Sequence, residues 1–479
     1  MSALFDEEIV EPSVAPTTTQ PTQAPSRNDA GRAQRFVEQF GDDIRFVPER
    51  EVWLAWNNYR WETDNDGALL RMAVKMAQDM LSVAGQNAGT DETSARLRQD
   101  AVREALACGD RRNITDFLQL ARIDKRVILP MELLDADLMV VGGANQVIDL
   151  KTGHARPYTR NDYITRPLAC AVEPDATCPR WEKFMEEVFP DEAIRHYVHK
   201  AIGYTLTGDM REQVFFFLYG IGRNGKSVFM RTLEKYVLGK LSVRAGRGIT
   251  ATTERGGYPA TEVAELAGAR MIITSETEQG QKLNENVIKD LSGGDAMRGR
   301  NLYENAFIFL PVGKLWIVGN HKPIIRGTDS GIWRRVRLIP FTQKFEGDAD
   351  DRQLPDKLAS EASGILNWAV RGCLMWQQEG LEMPEIIRAA VDEYKRDEDR
   401  LADFIEDTVA ESRTGEIMHT ELFRAYQHHC EDHGNRPWTS RALAKALRER
   451  GWRSQSTYRS KCIWGGYALA VAKDKDYPF

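Results

Sequence analysis

The chain has 479 residues, 42% of them hydrophobic and 28% charged, with a formal net charge of −7 at neutral pH. That length exceeds one compact core, so three or more modules are expected, with the composition of a soluble globular protein. No apolar stretch reaches the ~20 residues of a membrane span, the start MSALFDEEIVEP lacks a signal peptide's basic and apolar regions, and the acidic balance excludes a uniformly basic nucleic-acid coat.

Residues 1–32 carry Pro12, Pro16, Pro21 and Pro25 among Thr, Gln, Ser and Ala, too little apolar surface to offset the entropy of ordering, and are expected to be disordered. Structure is expected from near Ala33, where Phe36, Val37 and Phe40 fall on one helical face. Residues 46–61 read as a hairpin of two aromatic-rich β runs. Its Trp53, Trp56, Tyr59 and Trp61 suit core and cross-strand pairs better than a base-stacking platform. Helices are expected over 66–81 and 92–108, a short strand within 141–150, and a helical stretch over 179–210. The six cysteines (Cys108, Cys170, Cys178, Cys373, Cys430, Cys462) form no C-x-x-C pair and read as reduced thiols of a cytoplasmic protein.

The unbroken apolar run 214–219 reads as a strand buried on both faces of a parallel sheet. It feeds into Gly220-Ile221-Gly222-Arg223-Asn224-Gly225-Lys226-Ser227, and residues 228–238 continue as a helix closed by Gly239. Strand, glycine loop and helix in that order are the context of a phosphate-binding loop, implying a nucleoside triphosphate site for ATP with Mg²⁺. Gly220, Gly222, Arg223, Asn224 and Gly225 would cradle the phosphates, Lys226 would reach the β and γ groups, and the Ser227 hydroxyl would ligate the metal. The alternative is a chance glycine-rich turn.

Such a loop needs a strand ending in acid. MIITSETE from Met271 supplies one, with Glu276 favoured as general base and metal ligand and Glu278 the alternative. The run 315–319 ends in Asn320, where α/β folds place polar groups against their ligand; a turn before Pro323 is the other reading. Arg334 and Arg335, at the mouth of a further strand, suit either solvated charge or an arginine finger reaching a neighbouring subunit.

The ordered set GIGRNGKS, SETEQGQKLNENVIKDLSGGD, KLWIVGNHKP and RGTDSGIWRRVRLIPF resembles superfamily 3 helicases. More narrowly, it is similar to the helicase portion of phage and plasmid primase-helicases and of the poxvirus primase-helicase. NQVIDLKTGHARPYTRNDYITR and ATCPRW resemble the domain before the ATPase in that family. The resemblance implies an AAA+-like α/β core in a ring, most simply a hexamer, with catalytic Lys226, Glu276, Asn320 and Arg334, and Arg335 close behind. It further implies a hairpin after Gly293 that grips DNA in the pore, with Arg298, Arg300 and Lys314 as candidate contacts. The chain starts almost at the accessory domain, leaving no room for the polymerising domain of larger relatives, so primer synthesis is not expected.

Residues 436–461 hold eight Lys or Arg and one acid, Glu449. A helix capped by Thr439 or Ser440 and ending at Gly451 puts Arg441, Lys445 and Arg448 on one face and Leu443, Ala446 and Leu447 on the opposite one. With a preceding helix over 420–432 and a following hairpin, the pattern is that of a winged helix docking on DNA; a merely solvated basic helix is the alternative. His428, His429, Cys430 and His433 invite a zinc reading, but no second pair at ligand spacing closes the site.

The expected organisation is an α+β accessory domain over 33–195, the ATPase core over 196–345, a helical connector over 346–400 and a winged-helix-like module over 401–479. The implied function is an ATP-driven replicative DNA helicase of a phage or mobile element in a bacterial cytoplasm. It would act on single-stranded and forked DNA, 3′ to 5′ by resemblance, with a separate primase or polymerase as possible partner and no membrane. Alternatives are an ATP-regulated replication initiator or loader without processive unwinding, and a DNA-packaging or transposition motor.

Overall fold

The computed structural model describes residues 26–86, 91–246, 259–275, 282–300, 306–325, 330–346, 351–434, 437–456 and 462–469. The chain divides into two compact units, Met1–Leu133 and Leu134–Phe479.

The first unit opens with helix α1 (Asp29–Phe40), started by the Asn28 side chain, which accepts from the Gly31 amide at 2.9 Å. Strands β1 (Ile44–Val47), β2 (Val52–Trp56) and β3 (Trp61–Thr63) form an antiparallel meander, one strand more than the expected hairpin. Trp56 pairs with Trp61 across β2 and β3, their rings 5.4 Å apart, and Trp61 is fully buried. Trp53, Trp56 and Trp61 belong to the packing of the unit, whereas Tyr59, expected with them, is exposed. Helices α2 (Ala68–Gln86), α3 (Glu92–Gly109) and α4 (Arg111–Ala121) complete it. The sequence reading missed α4, which buries Ile114, Phe117 and Ala121 against α1 residues Phe36 and Val37.

The second unit begins with the small sheet β4 (Val140–Gly142), β5 (Val147–Asp149) and β6 (Ala155–Arg156), and then helices α5 (Pro179–Val188) and α6 (Glu192–Leu206). The mixed α/β core follows: β7 (Phe215–Tyr219), α7 (Lys226–Arg231), β8 (Ser242–Arg244), α8 (Ala260–Glu265), β9 (Met271–Ser275) and α9 (Glu285–Gly293). A hairpin of β10 (Met297–Arg300) and β11 (Ala306–Phe309) comes next, then β12 (Lys314–Gly319), α10 (Ser330–Trp333) and β13 (Val336–Pro340). The helix of α7 continues through wider π-type turns at Thr232–Leu238.

Five strands form one parallel sheet in the order β13-β7-β12-β9-β8. Side chains alternate between its faces. Phe216, Leu218, Ile273 and Trp316 face one core, with Phe229 and Leu233 after the glycine loop and Trp181 and Phe184 of α5. Phe215, Phe217, Ile272, Leu315 and Ile317 face the other, with Ile288 and Leu291 of α9. Burial on both faces is why these strands read as unbroken apolar runs. Val141, Ile148 and Trp181 share the first of these cores, so residues 134–195, expected in the accessory domain, pack together with the sheet.

Helices α11 (Leu354–Ser360), α12 (Ala362–Glu379) and α13 (Glu385–Asp397) pack on the core. At the crossing of α6 and α12, a Cβ on Gly203 would collide with the Gly372 and Cys373 backbone, and one on Gly372 with the His199 carbonyl. Two glycines therefore let backbone meet backbone. The C-terminal module comprises α14 (Arg400–Thr408), β14 (Val409–Met418), α15 (His419–Asp432), α16 (Ser440–Glu449), β15 (Ser454–Ser456) and β16 (Cys462–Leu469). Its antiparallel sheet has the order β14-β16-β15, and Phe404, Leu422, Tyr426, Leu443, Leu447 and Trp464 fill a separate core. No described helix is long and apolar enough to cross a membrane.

Candidate functional site

The strands of a parallel sheet all point the same way, so their carboxyl ends form a single edge. Tyr219, the last residue of β7, is in register with Gly319 of β12 and with Pro340 of β13. Gly220, Asn320 and Phe341 therefore leave the sheet side by side. The Asn224 amide donates to the Phe341 carbonyl at 3.2 Å, and the Phe345 amide to the Arg223 carbonyl at 2.8 Å, bracing the loop on the chain after β13. Arg223 and Gly225 take left-handed backbone, φ +57° and +84°. At Gly225 a side chain is excluded twice over, because a Cβ would also stand 2.9 Å from Val188 of α5. Gly222 has open space around it.

Lys226, at the first position of α7, is only 5% exposed. Its ammonium donates to the Gly220 carbonyl, to Asn224 Oδ1 at 3.2 Å and to Asn320 Oδ1 at 3.1 Å. Among the described residues these partners are all neutral, and burial holds its pKa below the ordinary lysine value. A buried cation facing only amide and carbonyl oxygens lacks the charge that would offset its desolvation. The polyphosphate expected from the sequence would supply such a charge. One residue on, Ser227 is exposed.

Strand β9 runs to the same edge, since Ser275 pairs with Val318. Glu276 and Glu278, the expected acids, lie outside the described residues. Just before them, the buried Thr274 hydroxyl has no hydrogen-bond partner among the described residues. The sequence reading passed over it, because a threonine inside an apolar strand carries no signal of its own.

The two adjacent arginines separate. Arg334 is exposed, held loosely by Gln213 Oε1 at 3.4 Å. Arg335 turns inward, donating from Nε to Ser292 at 3.1 Å and from a terminal nitrogen to the Gly331 carbonyl at 2.7 Å. Of the two, Arg334 is the one exposed to solvent.

The expected DNA contacts also divide. Arg298 and Arg300 are exposed on β10, while Gly299 between them lets the strand lie close on Ala264 of α8. Lys314 corrects the sequence reading: it is fully buried. Its ammonium donates to the Thr207 carbonyl at 2.6 Å and lies 4.3 Å from the centre of the Tyr204 ring. Burial drives its pKa well below the usual lysine value. A lysine enclosed at the start of β12 organises the core and meets no DNA. On α16, Arg441, Lys445 and Arg448 are exposed opposite buried Leu443, Ala446 and Leu447. Thr439 is the capping residue, accepting from the Ala442 amide at 3.3 Å.

Three segments match known families: residues 33–190 the one described as D5 N terminal like, residues 218–335 a family of unknown function, and residues 396–461 the one described as Poxvirus D5 protein-like. An Acanthamoeba polyphaga mimivirus protein, provisionally named a helicase, is 26% identical over 391 residues, covering 74% of this chain and 40% of that one. One from Invertebrate iridescent virus 3, also provisionally named a helicase, is 28% identical over 223 residues, 45% of this chain and 24% of that one. An African swine fever virus protein, provisionally named a primase, is 23% identical over 330 residues, 62% of this chain and 34% of that one. The chain thus spans less than half the length of these curated relatives. The apo structure of the NrS-1 C-terminal region superposes with a TM-score of 0.50 at 10% identity, covering 92% of this chain and all of that one, a likeness of fold alone. D5-type segments lie on both sides of the parallel-sheet core, and viral relatives match across up to three quarters of the chain's length, so the chain is similar to the D5-like primase-helicases.

Proposed function

We propose that this chain is an ATP-hydrolysing replicative DNA helicase that assembles into a ring, most simply a hexamer, and moves 3′ to 5′ on single-stranded DNA. The observation that carries the ATPase reading is the convergence of Lys226 and Asn320 at the sheet edge, with neutral partners around a buried ammonium. In this reading residues 196–345 form a phosphate-loop ATPase core of the AAA+ kind. The glycine loop holds the phosphates, and Ser227 with Glu276 holds Mg²⁺, whose charge would offset that of the reacting phosphates. Glu276, or Glu278 beside it, polarises the attacking water, Asn320 orients that water and the γ-phosphate, and Arg334 acts from the neighbouring subunit. The names helicase and primase carried by the viral relatives support DNA as the track and replication as the setting. Arg298 and Arg300 on the β10–β11 hairpin are the pore contacts. Residues 401–479 form a winged-helix module whose basic α16 face docks on duplex DNA.

The deciding experiment is strand displacement on a forked duplex, with wild type and Lys226→Ala. Displacement that needs ATP and vanishes in the variant supports the helicase. ATP-dependent DNA binding and assembly without displacement by wild type would replace it with the initiator or loader reading. Glu276→Gln should bind ATP yet turn it over slowly; near-normal turnover there with an inactive Glu278→Gln would move the base to Glu278.

A further inference from the structure

Where α14 ends, its penultimate residue Asp407 meets the carboxyl-terminal turn of α15. His429 and His433 are four residues apart, so their imidazoles lie on one side of that helix, ring centres 4.2 Å apart. Asp407 Oδ2 lies 3.8 Å from His429 Nδ1. One ligand atom from each of the three residues falls within 4.8 Å of the others.

Several local features suit a metal site. His433 Nδ1 sits 2.8 Å from the His429 carbonyl and must donate to it. That bond puts the proton on Nδ1 and leaves the Nε2 lone pair outward, the tautomer and support that metal-bound imidazoles use. Phe404 packs edge-on against His429 at 5.6 Å, restricting its ring. The carboxylates of Asp403 and Asp432 add negative potential at the same imidazole. Two imidazole nitrogens and one carboxylate oxygen form a borderline donor set, suited to zinc and similar transition metals rather than to calcium or magnesium. The neighbouring candidates drop out. Cys430 is buried in the module's core, and His428 points elsewhere, 3.7 Å from Glu431.

We propose that Asp407, His429 and His433 form a divalent transition-metal site, selective for zinc-like ions, that fastens the end of α15 to α14. Water would complete the coordination, because the site opens to solvent through Asp407 and His433. The proposal is independent of the nucleotide chemistry.

The test uses full-length, tag-free protein stripped of metal with a chelator and titrated with zinc chloride against a chromogenic zinc indicator. One zinc per chain is expected. Affinity should drop at least tenfold in both Asp407→Asn and His433→Ala, and stay unchanged in His428→Ala. Far-UV circular dichroism matching wild type would show that the variants fold, as these exposed side chains lead one to expect. Cobalt loading should give the intense visible bands of a low-coordinate nitrogen and oxygen site, lost in the same two variants. Zinc binding that is not stoichiometric, or equal affinity in wild type and both variants, would overturn the site. Loss of affinity in His428→Ala equal to that in His433→Ala would overturn the ligand assignment.

Discussion

The Lys226 ammonium and the Asn320 amide oxygen lie 3.1 Å apart, although 94 positions separate them in the chain. The contact exists because β7 and β12 are neighbours in a parallel sheet and end in register, Tyr219 beside Gly319. In the proposed function both side chains attend the γ-phosphate, and the sheet register is what would bring them to the same ligand.

Replacement of the two partners should therefore have different effects. Lys226→Ala should abolish ATP turnover and weaken nucleotide binding while leaving the fold intact. Asn320→Ala should still bind nucleotide, yet lose on the order of 10²- to 10³-fold in kcat, the cost of one misplaced polar group at a reacting centre. Nucleotide titration alongside steady-state turnover separates the two. Asn320→Ala with wild-type kcat would remove it from the site.

Arg334 and Arg335 should part company by readout. Arg334→Ala should cut turnover by roughly 10³-fold or more with an unchanged melting temperature, as for a lost arginine finger. In the proposed ring, mixing it with Lys226→Ala protein should restore some activity, since mixed rings would contain interfaces with both residues intact. Arg335→Ala should instead lower stability by about 1–3 kcal/mol, because Ser292 loses its buried partner. Thermal melts and ATPase assays on both variants give the answer.

His199 makes stability depend on pH. It stacks on Trp368 with ring centres 3.9 Å apart, donates from Nε2 to the Trp368 carbonyl at 2.6 Å, and burial pulls its pKa down to about 4. Between pH about 6.5 and about 4 the unfolded chain binds a proton that the folded one refuses. Its contribution is thus complete above pH ~6.5 and is lost as pH falls toward the folded value. The melting temperature of wild type should fall more steeply across that window than that of His199→Phe. Parallel curves would show that His199 titrates normally.

Gly203→Ala should destabilise the second unit by about 1–3 kcal/mol or more, because the new methyl meets the Gly372–Cys373 backbone. Helix propensity alone favours the change, alanine being the better helix former. A higher denaturation midpoint in the variant would therefore mean that α6 and α12 can move apart at little cost.

Exposed basic residues on α16 should act through phosphates. Replacing Arg441, Lys445 and Arg448 together by Ala should weaken duplex binding and flatten its log–log salt dependence by ~0.9 per lost contact. DNA-independent ATPase should be retained, since no proposed catalytic residue lies there. Identical slopes for variant and wild type would make this face ordinary surface.

The sequence by itself determined the elements whose burial is periodic and continuous. The sheet strands β7, β9 and β12, the glycine loop and the two faces of α16 were all legible, because hydrophobic spacing and glycine placement are local properties. Charge was less reliable. A lysine in a sequence looks solvated, and only the fold, by presenting the Thr207 carbonyl and the Tyr204 ring, made Lys314 an interior residue. The same holds for Arg335 beside Arg334, where the Ser292 hydroxyl decides which of two identical neighbours turns inward. Tertiary structure likewise decided which residues meet: Asn320 reaches Lys226 through sheet register, and Asp407 reaches His429 and His433 across two helices. Spacing along the chain shows which residues share a face, but a contact between elements depends on how those faces pack.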